Sequence, residues 1–164
     1  MIKKISSTFG SWQILKQIQK NNPSRKMIVL SSSSAPTDLQ LLDVSGEEPV
    51  FNNPLSYDIL AHHGNQEWTG FFRFAFFSLG DDDLKVFDSK VNQLITSPDF
   101  PLGLKDIYVL KPNKKHNDRV LLTIWQLDSD YSLWKRSATY QPFAAYTNTN
   151  FRYHDTNYTA YNLN

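Results

Sequence analysis

The chain has 164 residues, 40% of them hydrophobic and 14% aromatic, enough apolar material for one domain or two half-domains sharing a core. Its 17 basic and 16 acidic residues leave a formal charge of +1, which excludes a global field that would draw nucleic acid or an anionic membrane. Cysteine is absent, which excludes disulfides, thiolate metal sites and cysteine nucleophiles and makes a cytoplasmic location the simplest expectation.

In the first half, Met1 to Ser7 is expected to form a short strand. Phe9 to Lys20 places Trp12, Leu15 and Ile18 on one helical face, with Ile14 alongside. NNPS at 21–24 stops that helix, because proline cannot continue it and the residue before it avoids helical angles. KMIVL at 26–30 and DLQLLDV at 38–44 are strand-like, separated by the turn-forming SSSSAPT. Asn53 before Pro54 resembles an N-cap and first turn, and Tyr57, Leu60 and Ala61 follow at helical spacing. A second helix is therefore expected over NNPLSYDILAHH, with His62 and His63 at its C-terminus.

In the second half, Gly70 to Leu79 is a strongly apolar strand interrupted by Arg73. GDDDLKVFDSKVNQLI puts three aspartates at a helix start, opposing the positive dipole end, and Leu84, Phe87, Val91, Leu94 and Ile95 at helical spacing. LKDIYVLKP and RVLLTIWQL are strands joined by the basic loop NKKHND, which carries His116. DSDYSLWKRSA is a short helix, with Ser129 or Asp128 as its cap and Tyr131, Trp134 and Ala138 on one face. FRYHDTNYTAYNLN is expected to be a closing strand. No run approaches the roughly 18 apolar residues of a membrane span, and MIKKISSTFG lacks the apolar core of a signal peptide.

The element order is thus βαββα followed by βαββαβ, an α+β class with two ferredoxin-like units, 1–66 and 67–164. Each unit leaves one apolar sheet face, and packing the two faces together would give a pseudo-dimeric α+β barrel in one chain, a monomer. No GxGxxG, GxxxxGK[ST] or GxSxG motif and no paired-histidine metal motif occurs, so nothing points to a nucleotide, flavin or resident metal.

RVLLTIWQLDSDYSLWKRSATY resembles the recurring ILTLWES…AFxxWxxS…Y unit of the antibiotic biosynthesis monooxygenase family. STFGSWQILKQIQKNNPS and DVSGEEPVFNNPLSYDILAHHG resemble the N-terminal region of its longer members, among them the Bacillus-type haem-degrading monooxygenase and the staphylococcal protein TRAP. The resemblance covers nearly the whole chain. It implies the pseudo-dimeric barrel and a monooxygenase that binds haem or another planar aromatic ligand and needs no metal or flavin of its own.

The haem-degrading members carry a pocket tryptophan on the second helix, an axial histidine ten residues later and an asparagine on the first strand of the unit. Trp134 matches the tryptophan. Ala144 stands at the histidine position and about Ala75 at the asparagine position. A degenerate pocket follows, with Trp134 as its wall or as simple core. Arg73 is either an anion partner, for instance of a propionate, or a cation extending outward at the sheet face. His154 is either a substitute iron ligand or an exposed residue at a loop–strand junction. The competing expectation is a non-catalytic, TRAP-like protein of stress response or regulation, acting through protein or membrane-surface contacts.

Overall fold

The structure is a computed structural model that describes residues 2–147 and 152–160. Strands β1 (Lys4–Gly10), β2 (Met27–Ser32), β3 (Leu39–Asp43), β4 (Leu55–Gly64), β5 (Phe71–Ser78), β6 (Leu104–Pro112), β7 (Asp118–Trp125) and β8 (Arg152–Ala160) close into one antiparallel barrel. The strand order around it is β1-β3-β2-β8-β5-β7-β6-β4. Helices α1 (Trp12–Asn21), α2 (Asp81–Thr96), α3 (Asp128–Lys135) and α4 (Gln141–Ala144) are the other regular elements, with a 3₁₀ turn at Ala145–Thr147. Among the described residues, no helix is long and apolar enough to cross a membrane.

Alternation along each strand divides the side chains between two faces. On β5, Phe72 and Phe74 enter the barrel, where they join Leu30, Leu42, Tyr108, Leu122 and Ile124 in a buried core. Ala75 and Phe77 turn outward, as Arg73 does, beneath α2, α3 and α4 in a second core built on Phe87, Val91, Trp125 and Trp134. A smaller cluster of Leu15, Val29, Leu41 and Phe51 holds α1 on the other side. All five apolar residues of the expected α2 stripe are buried, and Asp81, Asp82 and Asp83 occupy its first turn.

The expected helix over 53–63 is instead β4, so the first half is βαβββ. Tyr57 and Ile59 are buried at strand spacing. A bulge between Ile59 and Ala61 leaves Leu60 exposed and shifts the alternation by one. That extra residue is what made Tyr57, Leu60 and Ala61 mimic a helical stripe. Pro54 stands just ahead of the strand, where its missing N–H costs no ladder bond. The cap of α3 also differs: Leu127 precedes the helix and Asp128 lies within it, with no side-chain cap bond. Phe9 belongs to β1, and the serine cap of α1 is Ser11, whose hydroxyl accepts from the Ile14 N–H.

The bulge turns His62 into one end of the barrel, where it closes a stack with Tyr108 (4.2 Å between ring centroids) and, beyond it, Trp68 (4.8 Å). Asp106, fully buried, accepts from His62 Nε2 at 2.7 Å and from the Gln66 and Glu67 N–H groups at 2.7 and 3.1 Å. These bonds hold the 65–69 loop over that end. Gly64 must be glycine here, since at φ +135° a Cβ would lie 2.2 Å from the Lys105 carbonyl oxygen. Asp106→Asn is expected to lower stability by about 2 kcal/mol, because an amide accepts through one oxygen only. Urea unfolding checks this, and an unchanged midpoint would contradict it.

Candidate functional site

Two places can be compared as sites: the space between the outer sheet face and α3–α4, and the mouth of the barrel. Trp134 and Arg73 meet at the first. Trp134 is buried against Trp125 (5.5 Å) and Tyr140 (4.9 Å), and its Nε1–H donates to Thr139 Oγ1 at 2.9 Å. Arg73 is only 5% exposed. Its guanidinium donates to Tyr153 Oη at 2.8 Å, Asp155 Oδ2 at 2.7 Å and Asn157 Oδ1 at 3.3 Å. The ring of Tyr131 covers it at 4.0 Å, a cation–π contact. Burial raises the pKa of Tyr131, Tyr140 and Tyr153, with Arg73 opposing the shift in each case, so these phenols stay neutral.

The remaining space there is about 20 Å³, lined by Arg73, Ala75, Phe77, Trp134, Tyr140 and Phe143 among others. That is about one water, against roughly 300 Å³ or more for an organic ligand. Ala144 follows Phe143 at the end of α4 and brings no ligating atom. The described residues at this position therefore do not fit a haem: among them there is neither room nor an axial donor, and the cation is already satisfied.

His154 is not brought to Trp134 and Arg73. Tyr153, Asp155 and Asn157 face Arg73, so by alternation His154 faces the other way and stacks on Phe76 (4.3 Å, 7° between planes) at the barrel mouth. Part of the stretch that leads into His154, residues 148–151, lies outside the described residues. No group of three or more histidine, aspartate or glutamate side chains among the described residues could hold a metal ion.

The mouth is open. A cavity of about 850 Å³ lies there, with Tyr57, Phe74, Phe76, Val120 and Tyr158 forming its apolar walls. The loop between β6 and β7 reaches its rim, held by the Asn113 N–H donating to the Ser56 carbonyl at 3.0 Å. Sequence patterning did not show this cavity, because its walls come from β1, β4, β5, β7 and β8 and adjoin only once the barrel is closed. The nearest signal was NKKHND, a basic hairpin loop with no partner apparent in the sequence.

No family model matches the sequence. Solved structures with the same fold include a monooxygenase-like protein from Listeria innocua, with a TM-score of 0.82 and 19% identity over 99% of this chain and 96% of that one. A major regulator of staphylococcal pathogenesis matches with a TM-score of 0.79 and 18% identity over 98% of this chain and all of that one (100%). A haem-degrading enzyme from Listeria monocytogenes matches with a TM-score of 0.70 and 19% identity over 96% and 99%. At such identities the likeness establishes the fold alone, the closed α+β barrel shared with monooxygenase-like proteins.

Proposed function

We propose that this chain uses the monooxygenase-like barrel as a non-catalytic binding scaffold, closer in role to the staphylococcal regulator than to the haem-degrading enzyme of the same fold. One observation carries this reading: the space beside Trp134 holds about 20 Å³, and Arg73 within it is spoken for by Tyr153, Asp155, Asn157 and the Tyr131 ring. An oxygenase site needs a preformed cavity with polar groups aimed at the reacting atom. Here those groups are aimed at each other.

On this reading the segments 1–66 and 67–164 are the two ferredoxin-like halves of a pseudo-dimer. Strand order supports this, since the four strands of each half run fourth, first, third, second around the barrel. A single chain then supplies what two subunits would, which favours a monomer. The test is haem with ascorbate under air. The expected result is no loss of haem absorbance beyond a protein-free control. Bleaching that is faster than the control and slowed by Trp134→Phe would overturn the proposal and restore an oxygenase.

A further inference from the structure

We infer that the barrel mouth is a binding site for an organic anion with a flat aromatic body. The site is distinct from the Trp134 space and does not depend on whether that space is catalytic.

The argument begins with the asymmetry of the barrel. One end is closed by the Trp68–Tyr108–His62 stack under a loop held by Asp106. The other end opens into about 850 Å³, within the range of cavities that take small organic ligands. Its wall is a run of aromatic rings: Phe74 is stacked with Phe76 at 6.4 Å and edge-on to Tyr158 at 5.7 Å. Phe9 and Leu55 stand at the rim 54% and 47% exposed, apolar surface that an occupant would cover.

Charge selects the occupant. Lys114, Lys115 and Arg152 line the mouth, and among the described residues none has a carboxylate partner. Arg119, the fourth cation there, is engaged by Asp88 on α2. The sole carboxylate among the lining residues, Asp118, accepts the Ser78 hydroxyl at 2.8 Å. In a chain whose formal charge is only +1, three unpaired cations around one apolar opening form a local anion-attracting rim. His154 adds a flat polar ring whose nitrogens have no hydrogen-bond partner among the described residues. An apolar aromatic body fits the wall, and a carboxylate or sulfonate at its end fits the rim.

The probe is 8-anilinonaphthalene-1-sulfonate, titrated into the full chain by fluorescence, with uncharged N-phenyl-1-naphthylamine as its counterpart. Saturable binding of the sulfonate at one site is expected, about tenfold weaker in the Lys114→Glu/Lys115→Glu variant. The uncharged probe is expected to be indifferent to that change. Both lysines are exposed loop residues, so the fold is unaffected. The location is read by proton NMR of the histidine rings, assigned with His154→Gln: the His154 signals move at the binding concentration, and those of His62 at the closed end do not. No saturable binding, binding insensitive to charge reversal, or a shift at His62 without one at His154 would each overturn the inference. None of these outcomes bears on the haem-bleaching result, so the two proposals fail separately.

Discussion

Raising the pH from 10 to 12 is expected to unfold this protein in one cooperative step, with the buried tyrosines ionising only as the fold is lost. Tyr57 lies inside the barrel, and burial, reinforced by the neighbouring Tyr158 phenol, pushes its pKa from 10.0 up to about 12. Burial also raises Tyr108, Tyr131, Tyr140, Tyr153 and Tyr158. A phenol is neutral when protonated, so the folded state holds these protons more tightly than the unfolded chain does. The stability they contribute is complete below pH 10 and declines as pH rises through their folded-state pKa values. The Tyr57 shift alone corresponds to about 3 kcal/mol. Domains of this kind have roughly 5–15 kcal/mol in total, so a few such groups suffice. Circular dichroism and phenolate absorbance, followed together, should change over the same pH interval. Titration of all eight tyrosines near pH 10 with the fold intact would contradict this. Tyr57→Phe should move the transition to higher pH.

The buried phenols also show where the sequence was legible. Strong patterns gave away β5 and α2: a strand-length, almost continuous apolar run in FFRFAFFS, buried on both faces, and helical spacing from Leu84 to Ile95. β4 was hidden because its bulge breaks the period of two at Leu60, and a broken strand period resembles a helical one. At the candidate site, Trp134 and Arg73 could be chosen as neighbours, but their partners could not. Tyr153, Asp155 and Asn157 sit at every second position of RYHDTN, a spacing that in a strand sets them on one face and His154 on the other, against the expectation of His154 as an iron ligand beside Trp134. What sequence could not supply was the register of β8 on β5, which sets Arg73 opposite Asn157. The closed end was hidden for another reason. His62 and Trp68 lie close together in the chain but Tyr108 lies far from both, and the one local sign was Asp106, a carboxylate inside an apolar strand that had to find donors.

Arg73→Met is expected to destabilise the protein by about 3 kcal/mol, and Arg73→Met/Asp155→Leu to recover most of that loss. The single change leaves the Asp155 carboxylate, the Tyr153 hydroxyl and the Asn157 amide oxygen without their shared donor, and removes the cation from the Tyr131 ring. Asp155 is partly exposed, so water relieves some of the cost, which places the effect at the lower end for a buried ion pair. In the double variant two apolar side chains of similar length occupy the same space, and replacing a paired charge with packing is commonly near neutral. A cycle of urea unfolding measurements on the four proteins should therefore give a coupling of about 2 kcal/mol between the two positions. The sign of the single-variant effect bears directly on function. A guanidinium kept for a ligand's carboxylate is unsatisfied before the ligand arrives, and its removal would stabilise the free protein. Destabilisation by Arg73→Met would mean that the cation serves its own β8 neighbours, which is what a scaffold with a closed Trp134 space requires.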